Sequence, residues 1–276
     1  MGEMPEEPGP ALSGRGVFRS FIDLPRDSTA KTLVVSFLVC LVCSLVLSVS
    51  TVILRPIRVA NEKAAQNALV ATLLTDPSSG GEAESSEEWV VELASGERAS
   101  GIDPATFDPL QAATEPTTGR SIPPERDIAR IQRQARHAVV QIVRRDGKLH
   151  ALVLPVYGRG YASLIRGSVV VAADGNTILG LAIHEHGETP GIGSEIERAD
   201  WRDSWVGKQV RDGQGALRLQ VTMDESEPGP EDAPFQIDGI SGATRSSIGV
   251  GNMVRFWLSE DGFGPLLERV RAGDLR

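Results

Sequence analysis

Asp238-Gly239-Ile240-Ser241-Gly242-Ala243-Thr244, continued by Arg245-Ser246-Ser247, is the stretch from which the organisation of this 276-residue chain is read. Small residues at Gly239, Ser241, Gly242 and Ala243 let a bulky group come close to the backbone. Beyond them Val250, Met253, Val254, Trp257 and Leu258 recur at i, i+3, i+4, i+7 and i+8, the spacing of one buried helix face. Thr244 therefore falls near a helix N-terminus, where unpaired N–H groups and the macrodipole favour a phosphate. On the residues alone, a plain Gly-Ser turn closed by a Ser or Thr helix cap has the stronger claim.

Upstream of this stretch the pattern changes to strands. Residues 138–143 and 149–156 are rich in Val, Ile and Leu and flank Asp146-Gly147, a hairpin turn pair. Residues 168–173 and 177–184 flank Asp174-Gly175-Asn176 in the same way. Leu217, Leu219, Val221 and Met223 alternate with polar residues, as in a half-buried strand. Helices over about 246–258 and 264–272 close the chain. Hairpins followed by terminal helices predict an α+β domain of antiparallel hairpins and helices.

Further upstream lies a different solvent. Residues 32–54 carry no charge, and at ~1.5 Å per residue they span ~34 Å, enough for a ~30 Å hydrocarbon core. The run is too long and starts too late for a signal peptide. Ser36, Ser44, Ser48, Ser50 and Thr51 can bond back to the helix or to neighbouring membrane helices. The only cysteines, Cys40 and Cys43, lie in this run and read as small apolar helix residues. Residues 1–31 read as a loose tail in which Asp27 and Ser28 are positioned to cap the coming helix, and 55–75 as a helix continuing past Pro56. Residues 76–125 read as a solvated acidic connector, and 126–136 as a basic amphipathic stretch opening the folded domain, 126–276. Twelve acidic and four basic side chains fall within 76–130, nearly the whole net charge of −9. The acidity is local, and it gives no argument for a nucleic-acid partner, which needs a basic face.

The motifs add what composition cannot. Asp-Gly-Ile-Ser-Gly-Ala-Thr at 238–244 resembles the flavinylation motif of covalent FMN proteins, in which the threonine after Gly-Ala forms a phosphoester with FMN. The surrounding pieces resemble the C-type subunits of the Na+-translocating NADH:quinone oxidoreductases. They are residues 27–56, Leu154 to Gly160, Gly187 to Gly193, Trp201 to Lys208 and Phe256 to Val270, in the family's order. The resemblance covers most of the chain outside about 76–125.

The resemblance implies covalent FMN on Thr244, with Asp238, Ser241, Gly242 and Ala243 around the attachment. It implies that the Glu188-Thr189-Pro190-Gly191 loop lies against the flavin, with Thr189 a hydrogen-bonding candidate and Gly191 allowing close approach. Tyr161 is a candidate wall, although the family's usual Leu-Trp is here Tyr161-Ala162, which shifts the aromatic by one position. Lys208 is a candidate to offset phosphate or reduced-flavin charge, or a surface lysine. The family's second threonine is replaced by Ser246, so Ser246 and Ser247 are the alternative hydroxyls. His184-Glu185-His186 places two imidazoles on one strand face, but it lacks the H-E-x-x-H spacing and a third ligand, so no metal is expected.

The reading is a membrane-anchored electron-transfer subunit of such a Na+-translocating reductase; the resemblance, not the near-even flanking charge, implies that its C-terminal domain lies on the periplasmic side of the inner membrane. Partners are the other subunits of the complex, a flavin transferase for maturation, and membrane lipid. The chain shows no G-x-G-x-x-G after a strand and no quinone motif, so it holds no complete active site of its own. Two alternatives stand beside it. One is the related G-type subunit of the ferredoxin:NAD+ oxidoreductase complex, against which Trp201 to Lys208 and Asp261 to Gly264 speak. The other is a membrane-anchored binding protein without cofactor.

Overall fold

A computed structural model describes residues 29–75, 83–223 and 229–275. The chain divides into two units, Met1–Ala60 and Asn61–Arg276. The expected tail and its Asp27 and Ser28 cap lie outside the described residues. Helix α1, Thr29–Thr75, runs unbroken for 47 residues, so the expected spanning and juxtamembrane segments are one helix. Its stretch Lys31–Leu54 has mean hydropathy 2.7 over 24 residues, long enough to cross a membrane. Ser44 and Thr51 satisfy their hydroxyls within the helix, donating to the carbonyls of Cys40 (2.7 Å) and Leu47 (2.8 Å). The helix also passes through Pro56, which has no N–H to give to the carbonyl one turn back.

The second unit is built on a five-stranded antiparallel sheet. Its strands are β1 (Ala83–Glu92), β4 (His137–Arg145), β5 (Lys148–Arg159), β6 (Leu164–Ala172) and β7 (Ile178–Glu185). They lie side by side in the order β1-β4-β5-β6-β7. Asp146 and Gly147 both take positive φ (51° and 72°), the geometry of a two-residue hairpin turn between β4 and β5. Around the sheet lie α2 (Pro109–Thr114), the short pair β2 (Gly119–Ser121) and β3 (Arg133–Ala135), and the five-residue helix α3 (Ala199–Asp203). Strand β8 (Gln220–Thr222) pairs in parallel with β9 (Gln236–Asp238). Helices α4 (Thr244–Trp257) and α5 (Gly264–Ala272) complete the unit.

Two expectations need correction. The acidic connector is not one. β1 lies within it and pairs with β4, Trp89 opposite Val140 and Val90 opposite Val139. Val90, Val91 and Leu93 are buried, while Glu87 and Glu88 are exposed on an edge strand, where charge is the usual defence against further pairing. The basic stretch 126–136 passes through a turn into β3. Asp127 accepts from the N–H groups of Ile131 (2.9 Å) and Gln132 (2.7 Å), folding the segment on itself. The alternating 217–223 pattern yields only the three residues of β8. The Asp212 carboxylate binds the N–H groups of Gln214 (2.9 Å) and Ala216 (3.0 Å), turning the chain away just before it.

One sheet face packs against the helices. Ile142, Leu152, Leu154, Val169 and Val171 meet Val250, Met253, Val254, Trp257 and Leu267 in one core. Each such side chain contributes ~1.5–3 kcal/mol by leaving water. Contact is close at Gly158, where an added Cβ would stand 2.8 Å from the Cβ of Met253. Trp257 is fixed by an Nε1–H bond of 2.7 Å to the Tyr157 carbonyl and stacks against the rings of Tyr157 and Phe263. The core therefore sets the height and rotation of α4, and with them the place of its first residue, Thr244.

Candidate functional site

Strand β9 delivers the chain to this point. Gly239 donates to the Thr222 carbonyl at 2.7 Å, extending the β8–β9 pairing by one residue. Gly242 then takes φ +83°, which only glycine adopts without strain, and Ala243 donates to the Ile240 carbonyl to close the turn. Helix α4 starts at Thr244. Its N-cap is Ala243, and no side chain caps the first N–H groups. The expected Ser or Thr cap is therefore not made, and the first N–H groups of α4 are left for another acceptor.

The three candidate hydroxyls separate by burial. Ser246 and Ser247 are 2% and 0% exposed. Ser246 Oγ donates to Glu188 Oε2 at 2.6 Å, and Ser247 Oγ reaches the carbonyls of Ala243 and Thr244 at 3.1 Å. Thr244 is exposed, as are Asp238, Ser241 and Gly242, whereas Ala243 is buried. The Asp238 carbonyl accepts from Trp201 Nε1 at 2.8 Å, which ties α3 to the base of the loop.

Glu188 is the joint of the site. Its side chain is buried, yet no cation faces it at hydrogen-bond distance among the described residues. It accepts from the N–H groups of Tyr161 (3.2 Å), Ala162 (3.0 Å) and Ser163 (3.0 Å), from Ser163 Oγ (3.1 Å) and from Ser246 Oγ. These donors form a nest around the carboxylate. Burial pushes the carboxyl's pKa up, but the bonds from Ser246, Ser163 and Ala162 outweigh it and hold the pKa below the ordinary value. The surroundings are shaped to it: a Cβ at Gly160 or Gly193 would meet the carboxylate at 2.6 and 2.9 Å.

The structure thus joins Glu188 and Tyr161 to the start of α4. Thr189 and Gly191 form the exposed loop beyond Glu188. Thr189 accepts at its carbonyl from Ile192 (3.1 Å) and Ser194 (3.2 Å), and Gly191 has φ +71°. Tyr161 is 59% exposed, with the Arg245 guanidinium 5.2 Å from its ring centroid. Lys208 is held elsewhere: its ammonium donates to the Ala233 carbonyl at 2.9 Å, and among the described residues no hydrogen bond links it to Thr244 or Glu188. His186 accepts from the Glu188 N–H at Nδ1 and pairs with Glu197 through Nε2 (2.9 Å). His184 bonds Ser168 at 2.9 Å; burial, helped by Arg166, lowers its pKa to about 4. Among the described residues no three His, Cys, Asp or Glu side chains gather for a metal.

A cavity of about 320 Å3 lies against Arg245 and Ile248, next to Thr244 along α4. Arg159, Gly160, Tyr161 and Asn252 also line it, as do Ile128 and Arg130 from the turn segment. Sequence reasoning missed Ser163 and Arg130 here. Nothing local marks Ser163, whose role depends on a glutamate 25 positions away.

An exposed threonine hydroxyl in the first turn of an uncapped helix suits a phosphoester: the acceptor is free, and the helix end favours the added negative charge. The comparisons agree, since residues 160–259 match the FMN-binding domain family. Fold and site define an FMN-binding-domain protein with an apolar helix long enough to cross a membrane. The C-type subunit of the Na+-translocating NADH-quinone reductase of Pseudomonas aeruginosa is 38% identical over 257 residues, covering 90% of this chain and 98% of that protein. Its Yersinia pestis counterpart is 38% identical over 265 residues, covering 92% and 98%. The crystal structure of Shewanella oneidensis NqrC superposes with a TM-score of 0.62 at 35% identity, covering 68% of this chain and 85% of that one. The chain belongs to the family of C-type subunits of the Na+-translocating NADH-quinone reductases.

Proposed function

We propose that this chain is the electron-transfer subunit of a Na+-translocating NADH:quinone reductase and carries FMN as a phosphoester on Thr244 Oγ1. The observation that carries the reading is the Thr244 hydroxyl: exposed, in the first turn of α4, with no side chain capping the helix. FMN supplies the redox chemistry; the protein supplies attachment, orientation and electrostatics. The α4 N-terminus stabilises the phosphoester anion by ~0.3–1 kcal/mol. Gly242 lets the chain turn without a side chain beside it. Glu188 holds the 161–163 backbone and Ser246 together, so the walls beside Thr244 keep one geometry. Thr189 and Gly191 remain candidates for contacts with the ring system. Lys208 is a weaker one, because its ammonium is already bonded.

A covalent tether keeps the cofactor on a domain facing a dilute compartment. In this reading α1 is the membrane anchor, in contact with lipid, and the sheet domain lies on the periplasmic side. A flavin transferase makes the attachment, and the other subunits of the complex exchange electrons with it.

The test is the intact mass of the denatured chain after co-expression with a flavin transferase. The expected gain is one FMN less one water, mapped to the peptide containing Thr244 and abolished by Thr244→Ala. An adduct persisting in Thr244→Ala defeats the assignment. In the assembled complex, the same variant is expected to continue NADH oxidation by an acceptor acting at the first flavin and to lose quinone reduction and Na+ transport together. For topology, Ser100→Cys, on an exposed turn, is expected to react with a membrane-impermeant maleimide in spheroplasts. Labelling only after lysis places the domain in the cytoplasm.

A further inference from the structure

Three arginines line the cavity beside Thr244: Arg130, Arg159 and Arg245. In a chain of net charge −9 this is a local reversal of sign. Arg130 and Arg159 make no ion pair among the described residues, and Arg245 rests on the Tyr161 ring. The backbone that presents Arg130 is itself unusual. Arg130 and Gln132 have φ of 57° and 62°, left-handed conformations that non-glycine residues rarely take. The strain is held in place by the Asp127 carboxylate on one side and by the Arg159 N–H bonded to the Ala129 carbonyl (2.8 Å) on the other. A conformation costing ~1–3 kcal/mol is kept where something needs it. Here it places a third arginine in the cavity lining.

We propose that Arg130, Arg159 and Arg245 form a docking patch for a carboxylate-bearing surface of another protein subunit, seated beside Thr244. The proposal rests on the reading of this chain as the FMN-carrying subunit. A phosphoester on Thr244 brings one negative charge, against three arginines in the cavity lining. Like charges around one cavity repel unless an anion lies among them. Exposed apolar groups flank the charges, Tyr161 at 59% and Ile128 at 38%. Arginine and tyrosine around an aliphatic centre is the composition of protein-interface hot spots, so a protein surface is favoured over a lipid headgroup. Position adds a second reason. A carrier attached at Thr244 exchanges electrons only with a partner brought close to it, and complementary charge selects the partner and its orientation.

The experiment uses the assembled complex in native membranes, with Ile128 replaced by the photo-crosslinking residue p-benzoylphenylalanine. Irradiation is expected to join this chain to one other subunit of the complex. Arg159→Glu with Arg245→Glu should reduce that product and NADH-driven quinone reduction at least ~10-fold, as loss of close charge pairs does. FMN on Thr244, read by mass, should be unchanged. Because charge reversal can disturb folding, two milder pairs accompany it. Lysine at both positions should retain crosslink and turnover, and glutamine at both should lose them. Crosslinking only to lipid overturns the proposal, as does undiminished crosslinking and turnover in the glutamate or glutamine pair. Loss of FMN from Thr244 in either pair also overturns it, by showing that the arginines serve the cofactor. Absence of FMN from the parent chain is a different result and removes the reading on which the patch rests.

Discussion

Replacing Glu188 by alanine tests the idea that one buried carboxylate holds the site together. The change removes the acceptor for three backbone N–H groups and two hydroxyls. The hydroxyls of Ser163 and Ser246 can rotate to other acceptors; the N–H groups of residues 161–163 cannot. A hydrogen bond to a charged group is worth ~1.5–3 kcal/mol, and neighbouring losses are not additive, so the net cost is about 3–5 kcal/mol. For a unit of this size each kcal/mol lowers Tm by roughly 2–4 °C, giving a fall on the order of 10 °C. Thermal unfolding of the full chain in detergent, followed by tryptophan fluorescence, reads it. Trp201 and Trp257 report on the region directly, bonded to the Asp238 and Tyr157 carbonyls. Glu188→Gln keeps one acceptor oxygen and is expected to fall between. The carboxyl's folded pKa lies below its unfolded value of ~4.3, so its contribution is complete above that pH and is lost as pH falls through the lower folded value. Both variants should lack this acid-side loss. An alanine variant melting within about 2 °C of the parent would refute the reasoning.

Two glycines should fail for different reasons. Gly193→Ala puts a Cβ 2.7 Å from Ser246 Oγ and 2.9 Å from the Glu188 side chain, so denaturant titration should show a loss of ~1–3 kcal/mol together with reduced FMN attachment. Gly242→Ala meets open space and suffers only its φ of +83°, a loss of ~1–2 kcal/mol; equal effects of the two on attachment would contradict the distinction. His184 has its folded pKa lowered to about 4, so below its unfolded value the unfolded chain binds the proton first, and stability should decline as pH falls from ~6.5 toward about 4. His184→Gln should flatten the Tm profile across that window, and an unchanged slope would place the titration elsewhere.

Much of this architecture can be read from the sequence because local chemistry agrees with the global fold. Asp146-Gly147 specifies a tight hairpin, and the Val250-Met253-Val254-Trp257 spacing specifies the buried face of α4. β1 is hidden because an edge strand needs charge on its open side, and Glu87 and Glu88 make that defence look like a solvated linker. Thr244 stands out through its motif. Glu188 does not stand out as the joint of the site, since its partners are backbone N–H groups 25 to 27 positions away and a hydroxyl 58 positions away. Arg130 carries no signal either, because its importance lies in a backbone angle imposed by Asp127.

The sheet order β1-β4-β5-β6-β7 bears on how the molecule can be divided. The segment 160–259 that matches the FMN-binding domain contains β6, β7 and α4 but omits β1, β4, β5 and α5. Cut out alone, it would leave β6 without the nine-residue register it shares with β5 and expose that edge to other chains. The portion recognised by likeness is therefore smaller than the portion that folds. A soluble fragment must begin ahead of Ala83 and run past Ala272, and one trimmed to the matched residues should aggregate with its attachment threonine intact.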